Sequence, residues 1–242
     1  MRDAICFLTV LPLRRPAGPP APSCVRWFPA AGLVVGAAWA LTYWAVSLLL
    51  GPLAAAASVL CVDAAITGAL HLDAVADVAD GVASRRPPRA AVEIMREPCV
   101  GAVGAAVLVL MCLLRLSLLA VIGSHAVALI AVPVAGRTAM ALLLVLVPPG
   151  QDASLASAFS LAGVRPAVEA VVLATVLTLV LVVWTQSLAP LVGSAVALAS
   201  AALYARWWRA RFGSLTGDGC GAGGIIAETL ALAALGVGLN SL

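Results

Sequence analysis

Apolar runs of about twenty residues alternate with short, polar or Arg-bearing connections along nearly the whole chain. A helix rises about 1.5 Å per residue, so a run of that length covers the ~30 Å hydrocarbon layer of a bilayer. The pattern predicts spans at about 29–50, 53–70, 100–122, 125–147, 167–186, 190–204 and 223–239, the sixth of them short. That makes about seven, with six or eight compatible because the 187–205 region reads ambiguously. A first apolar run, residues 4–11, is too short to cross and is expected to lie at the interface or tuck against the bundle. The expected architecture is an all-α polytopic transmembrane helix bundle forming a single domain over residues 1–242.

Composition supports this. Hydrophobic residues make up 63% of the chain and charged ones 10%, with mean hydropathy +1.11; soluble domains are nearer half apolar and a quarter charged. All 14 basic residues are Arg, and the net charge of +3 is too small to argue for a nucleic-acid partner. Only Arg115 and Arg137 fall inside predicted spans. With a cytoplasmic N-terminus, the other Arg residues lie in the inner segments 1–28, 71–99, 148–166 and 205–222, and the outer turns carry none. This positive-inside asymmetry predicts orientation and puts residues 71–99 on the cytoplasmic side. Trp207-Trp208, flanked by Arg206 and Arg209, reads as an interfacial anchor. Six Cys without a C-x-x-C pair read as small packing residues, and no convincing signal peptide opens the chain.

The one polar constellation is His71-Leu-Asp73-Ala-Val-Ala-Asp77-Val-Ala-Asp80-Gly81. At about 100° per residue, the three aspartates fall within roughly 60° of one another on a helix. Like charges so spaced repel, and an oxygen-rich cluster suits Mg²⁺ or Mn²⁺ better than zinc. A solvated helix face is the plainer reading, but Ala and Val fill the positions between, which suits a helix lining a polar cavity. Asp63, inside the second span, costs a few kcal/mol unless paired or wet. Arg137 and Arg115 lie too deep to snorkel comfortably, and Arg137 is expected to face acids or a phosphate. Asp218 and Glu228 flank the run Gly217 to Gly224, which opens a helix whose free N–H groups attract phosphate, or else packs helices closely. Glu93 and Glu97 form an i, i+4 pair, and His71 points away from the acidic stripe, which suits a cap or packing group at least as well as a catalytic one. The residues alone imply a membrane enzyme using Mg²⁺ on a cytoplasmic phosphate-bearing substrate, with a secondary transporter as competitor.

The chain also resembles the cobalamin synthase family, the adenosylcobinamide-GDP ribazoletransferases. The resemblance runs through Phe7-Leu-Thr9-Val-Leu-Pro12, Trp27-Phe-Pro29-Ala-Ala-Gly32 and Thr67-Gly68-Ala-Leu-His71-Leu-Asp73. It continues through Asp77, Asp80-Gly81, Glu93-Ile-Met-Arg96-Glu-Pro98, Gly101-Ala-Val-Gly104, Gly136-Arg137, Leu215-Thr216-Gly217-Asp218, Gly221-Ala222 and Glu228. It implies a Mg²⁺-dependent enzyme of the bacterial plasma (inner) membrane, active on its cytoplasmic side. Such an enzyme joins adenosylcobinamide-GDP to α-ribazole, or its 5′-phosphate, and releases GMP. On that resemblance Asp73, Asp77 and Asp80 are expected metal ligands, and Asp218 and Asp80 the catalytic carboxylates. Arg137 and Arg96 are expected on the diphosphate, with His71, Glu93 and Glu228 on the substrate-binding side. Partners are these substrates and the bilayer; a homo-oligomer is left open.

The chain departs from the family pattern at Ala74 (commonly Gly), Val78 (Thr), Gly219-Cys220 (Thr-Leu) and Ile225 (an acid). Rival readings are a CDP-alcohol phosphotransferase, whose D-G-x-x-A-R opening Asp80-Gly81-Val-Ala-Ser-Arg85 only approximates, and a transporter.

Overall fold

The computed structural model of the chain describes residues 1–13, 18–123, 125–150, 159 and 163–240; Arg14 and Arg15 lie outside these. The described residues form helices and their connections, with one isolated bridge between Pro149 and Leu215. We number the α-helices α1 (Arg2–Leu8), α2 (Phe28–Leu50), α3 (Pro52–Thr67), α4 (Leu70–Ala83), α5 (Pro88–Met95), α6 (Ala102–Ala120), α7 (Ala131–Leu146), α8 (Val164–Thr185), α9 (Ala189–Phe212) and α10 (Gly217–Asn240). Two 3₁₀ turns, Pro22–Trp27 and Ala126–Ile130, lead into α2 and α7.

Six helical segments among the described residues are long and apolar enough to cross a membrane, and a seventh crossing is made if the bent pair α3–α4 counts as one. α7 is the centre. Every residue from Ala131 to Ala141 is buried, with α2, α8, α9 and α10 packed around it. The outer helices turn large apolar side chains outward, such as Val172, Val176 and Val183 on α8 and Leu110, Leu113 and Leu114 on α6. Apolar faces of that extent belong against lipid. α2 lies close against α7 and the turn before it because Gly32 and Gly36 carry no Cβ; one at Gly32 would sit 2.8 Å from the Cα of Val134. Small residues one turn apart let membrane helices approach in this way.

Three elements differ from the hydropathy reading. α9 runs on for 24 residues to Phe212, so the sixth span is not short. Arg206, Arg209 and Arg211 end the apolar run but continue the helix, since arginine is a good helix former. α10 begins at Gly217, so Asp218 stands in its first turn and not in a loop. Between α3 and α4, Gly68 and Ala69 both adopt left-handed backbone (φ 64° and 55°), and the chain turns by 92°. α4 therefore leaves the direction of α3. We read it as lying outside the six spanning helices, with Asp73 on its exposed side and His71, Ala74, Val75 and Val78 buried. α1 buries Ala4, Ile5 and Leu8 and packs on α2, the tucked arrangement among the two expected for it.

Candidate active site

Asp73, Asp77 and Asp80 lie along one side of α4, and α10 packs against that helix with its N-terminal turn. Gly221 makes the approach possible: a Cβ there would stand 3.0 Å from the Cβ of Ala74 and 3.3 Å from the His71 ring. Asp218 is brought within electrostatic reach of Asp73 and Asp77, with Arg96, at the C-terminus of α5, in reach of Asp218. Thr216 accepts the Gly219 N–H through its hydroxyl at 3.0 Å, capping α10 beside Asp218. Asp77 is pushed up to about 6, first by partial burial and then by the charges of Asp73, Asp218 and Asp80. The Asp77 carboxyl thus feels the charge of three other carboxylates from α4 and α10.

Asp80 has a further task. Its two oxygens accept the backbone N–H groups of Gly101 (2.7 Å) and Gly104 (2.8 Å), so it caps the start of α6 from another helix. A Cβ at Gly104 would collide with that carboxylate, which accounts for glycine at both ends of Gly101-Ala-Val-Gly104. Asp80, expected with Asp73 and Asp77 as a metal ligand, therefore also holds the start of α6 through both of its oxygens. Among the described residues no three Asp, Glu, His or Cys side chains stand together as a ready-made metal cage. Mg²⁺ does not require one. It keeps several waters and is held by one or two carboxylates plus substrate phosphates, which the exposed Asp73 and half-buried Asp77 fit.

Arg137 and Glu228 are brought together elsewhere, and not onto an open diphosphate site. Their side chains are 1% and 0% exposed and form an ion pair in the bundle core. Arg115 donates to Glu228 Oε2 at 3.2 and 3.3 Å and lies 3.8 Å from Asp63, whose other oxygen accepts from the Trp39 indole at 3.1 Å. Two arginines and two acids from four helices neutralise one another. The sequence singles out each of these four charges, but not their partners. Glu228 fits only because residue 136 is glycine, since a Cβ there would overlap its side chain. This corrects the placing of Arg137 and Glu228 on the substrate side: neither is accessible. Glu93 and Arg96 are exposed on or just after α5.

His71 is buried (4% exposed) with its Nδ1 unpartnered, and it lines a cavity of about 190 Å³ with Phe7, Phe28, Ala74, Leu144, Phe159 and Asp218 among its walls. Phe7 and Phe28 lie inside the stretches that carry the family resemblance, and no local sequence pattern marks Phe159 as their neighbour.

The family model for cobalamin-5-phosphate synthase matches residues 1–236. The chain belongs to the cobalamin-5-phosphate synthase family. Within it, an adenosylcobinamide-GDP ribazoletransferase of Roseiflexus sp. (strain RS-1) is 35% identical over 96% of this chain and 87% of its own length. One of Bradyrhizobium diazoefficiens is 38% identical over 92% and 87%, and one of Ectopseudomonas mendocina 33% over 98% of each. No solved structure matches. The departures of this cobalamin-5-phosphate synthase relative at Gly219 and Ile225 have local explanations. A Cβ on Gly219 would strike the Trp208 ring, and Ile225 is 2% exposed in the core.

Proposed function

We propose that this protein is a Mg²⁺-dependent adenosylcobinamide-GDP ribazoletransferase of the bacterial plasma membrane, with its site on the cytoplasmic side. Family membership over the whole chain and the names of its relatives support the reaction. The observation that carries the site is the meeting of Asp73, Asp77 and Asp218, from two helices, beside Arg96 and a capped helix start. The side is supported by the Arg-bearing segments: Arg211, ending α9, donates to the Arg86 carbonyl just after α4 at 3.0 Å, so both flank one end of the bundle.

In the reaction a ribose hydroxyl of α-ribazole attacks the phosphorus attached to cobinamide. A new O–P bond forms, the bridging P–O bond breaks, and GMP leaves with its electron pair as a phosphate anion. Mg²⁺, when bound, offsets charge on the diphosphate oxygens. Asp73 and Asp77 would hold it. Asp218, which lines the cavity, would accept the hydroxyl proton. Arg96 draws the diphosphate by charge. Asp80 acts indirectly, by fixing α4 against α6.

The test is direct. Purified protein with GDP-cobinamide, α-ribazole and Mg²⁺ is expected to release GMP and form a cobamide. Asp77→Asn is expected to lose at least about a hundredfold in turnover, the scale of losing one electrostatic or acid–base group. No GMP from folded wild-type protein would end this reading, as would near-normal turnover by Asp77→Asn at ordinary Mg²⁺. A CDP-alcohol phosphotransferase would instead release CMP from a CDP-alcohol.

A further inference from the structure

Three of the chain's four phenylalanines converge on one place. Phe7 from α1, Phe28 at the start of α2, and Phe159 pack edge to face or stacked, with centroids 4.9 to 6.3 Å apart. Leu70 and Ala74 of α4, and Met140 and Leu144 of α7, complete a wall that is apolar except on one side. That side carries Asp218 and His71. A bundle built chiefly of Ala, Val and Leu needs no aromatic cluster to fill its core, and here the cluster borders empty volume.

The size narrows the occupant. Pockets for whole drug-sized ligands run to about 300–1,000 Å³, so about 190 Å³ suits a single ring system and not a nucleotide or a corrinoid. The polarity narrows it further. A guanine ring carries donors and acceptors around its edge, and burying them against phenyl and leucyl side chains would leave them unpaired, at a cost of about 1–3 kcal/mol each. A flat, mostly apolar bicycle suits phenyl walls, which bind planar rings by stacking and edge-to-face contact. Asp218 belongs both to this cavity and to the carboxylate group with Asp73 and Asp77. A ring seated among the phenylalanines would leave its sugar at Asp218, beside the phosphate-handling residues.

We propose that this cavity is the subsite for the heteroaromatic base of the acceptor riboside, a benzimidazole-type ring, with Phe7, Phe28 and Phe159 as its walls. Its polar edge meets His71, which determines which bases are accepted. This rests on the ribazoletransferase reading and adds a binding subsite to it.

The experiment measures KM for α-ribazole and for GDP-cobinamide in wild type, Phe28→Leu, Phe159→Leu and the cavity-filling Leu144→Phe. Equilibrium dialysis of labelled α-ribazole accompanies it. Loss of stacked contacts is expected to raise the α-ribazole KM and dissociation constant about tenfold, with the GDP-cobinamide KM changed less than about twofold. Unchanged α-ribazole binding in all three variants overturns the proposal, as does an equal rise for both substrates. Should the variants fail to fold, wild-type protein decides by itself. A benzimidazole riboside is expected to bind at least about tenfold more tightly than guanosine, and equal affinity overturns the assignment. If wild-type protein releases no GMP but still binds α-ribazole with this preference, the reaction is wrong and the cavity assignment stands. If it releases GMP while the preference is absent, only the cavity assignment falls.

Discussion

Asp80, near the end of α4, caps α6 through Gly104: one carboxylate oxygen accepts the Gly104 N–H at 2.8 Å while the other accepts that of Gly101 at 2.7 Å. A residue that reads as a third metal ligand is thus the strut that fixes the acidic helix to its neighbour. A helix start left without such a partner loses both hydrogen bonds and a favourable charge at the positive end of its dipole. Asp80→Ala is expected to destabilise the protein by about 1–2 kcal/mol, read as a lower melting temperature in detergent. Its Mg²⁺ half-saturation should stay within about threefold of wild type, against a rise of more than about tenfold for Asp73→Asn, whose charge offers itself to the cation. If Asp80→Ala and Asp73→Asn shift Mg²⁺ dependence alike, the capping account is insufficient.

The same relationship works from the other side. A methyl group on Gly104 would occupy the place of the Asp80 carboxylate, so Gly104→Ala is expected to resemble Asp80→Ala in stability. The double variant should cost little more than either single one, because the interaction can be lost only once. Additive losses would show that the two residues act separately.

Much of the bundle was legible because hydropathy reports burial in lipid, and spans such as α2, α6 and α8 are little else. It fell short at α9 and α10 for a physical reason: a helix does not end where its apolar run does, so one continues through Arg206 to Phe212 and the other already begins at Gly217. The acidic stripe of α4 could be read from spacing within one helix. Contacts across the chain could not. Asp63, Arg115 and Arg137 stand out in the sequence as costly charges at depth and Glu228 only as a neighbour of the Gly-rich run, yet their pairing joins residues as far apart as 113 positions, from Arg115 to Glu228. The equal number of deep acids and bases was the available clue. Phe7, Phe28 and Phe159 gave less still, since nothing local to an aromatic residue says that it faces a cavity.

The ion network makes a strong stability prediction. Removing one member of a buried, mutually neutralising set leaves a charge with no water to turn to, a loss of about 3–5 kcal/mol. Arg137→Met and Glu228→Gln are each expected to lower yield and melting temperature severely. Combining them removes one charge of each sign, and the double variant should be more stable than either single one, a coupling visible in a double-mutant cycle. Independent, additive losses would mean that the pair contributes no mutual neutralisation.

The last prediction concerns Gly219, where the family commonly has threonine. The six-membered part of the Trp208 indole lies where any side chain at 219 would begin, and its N–H is fixed to the Ser214 carbonyl at 2.8 Å. The ring cannot easily yield: it is fully buried and packs on Phe212 at 4.5 Å between centroids. Gly219→Thr by itself should therefore displace the first turn of α10, which carries Asp218, and reduce GMP release more than about tenfold, as misplacing a reacting group does. With Trp208→Leu the space reopens, and Gly219→Thr/Trp208→Leu should recover activity relative to Gly219→Thr alone. Trp208→Leu by itself leaves a cavity and is expected to cost about 2–4 kcal/mol of stability. Rescue by the pair, measured as GMP release per folded protein, would show that Gly219 accommodates Trp208. Failure to rescue, with both proteins folded, would place the requirement for glycine in the backbone at 219 instead.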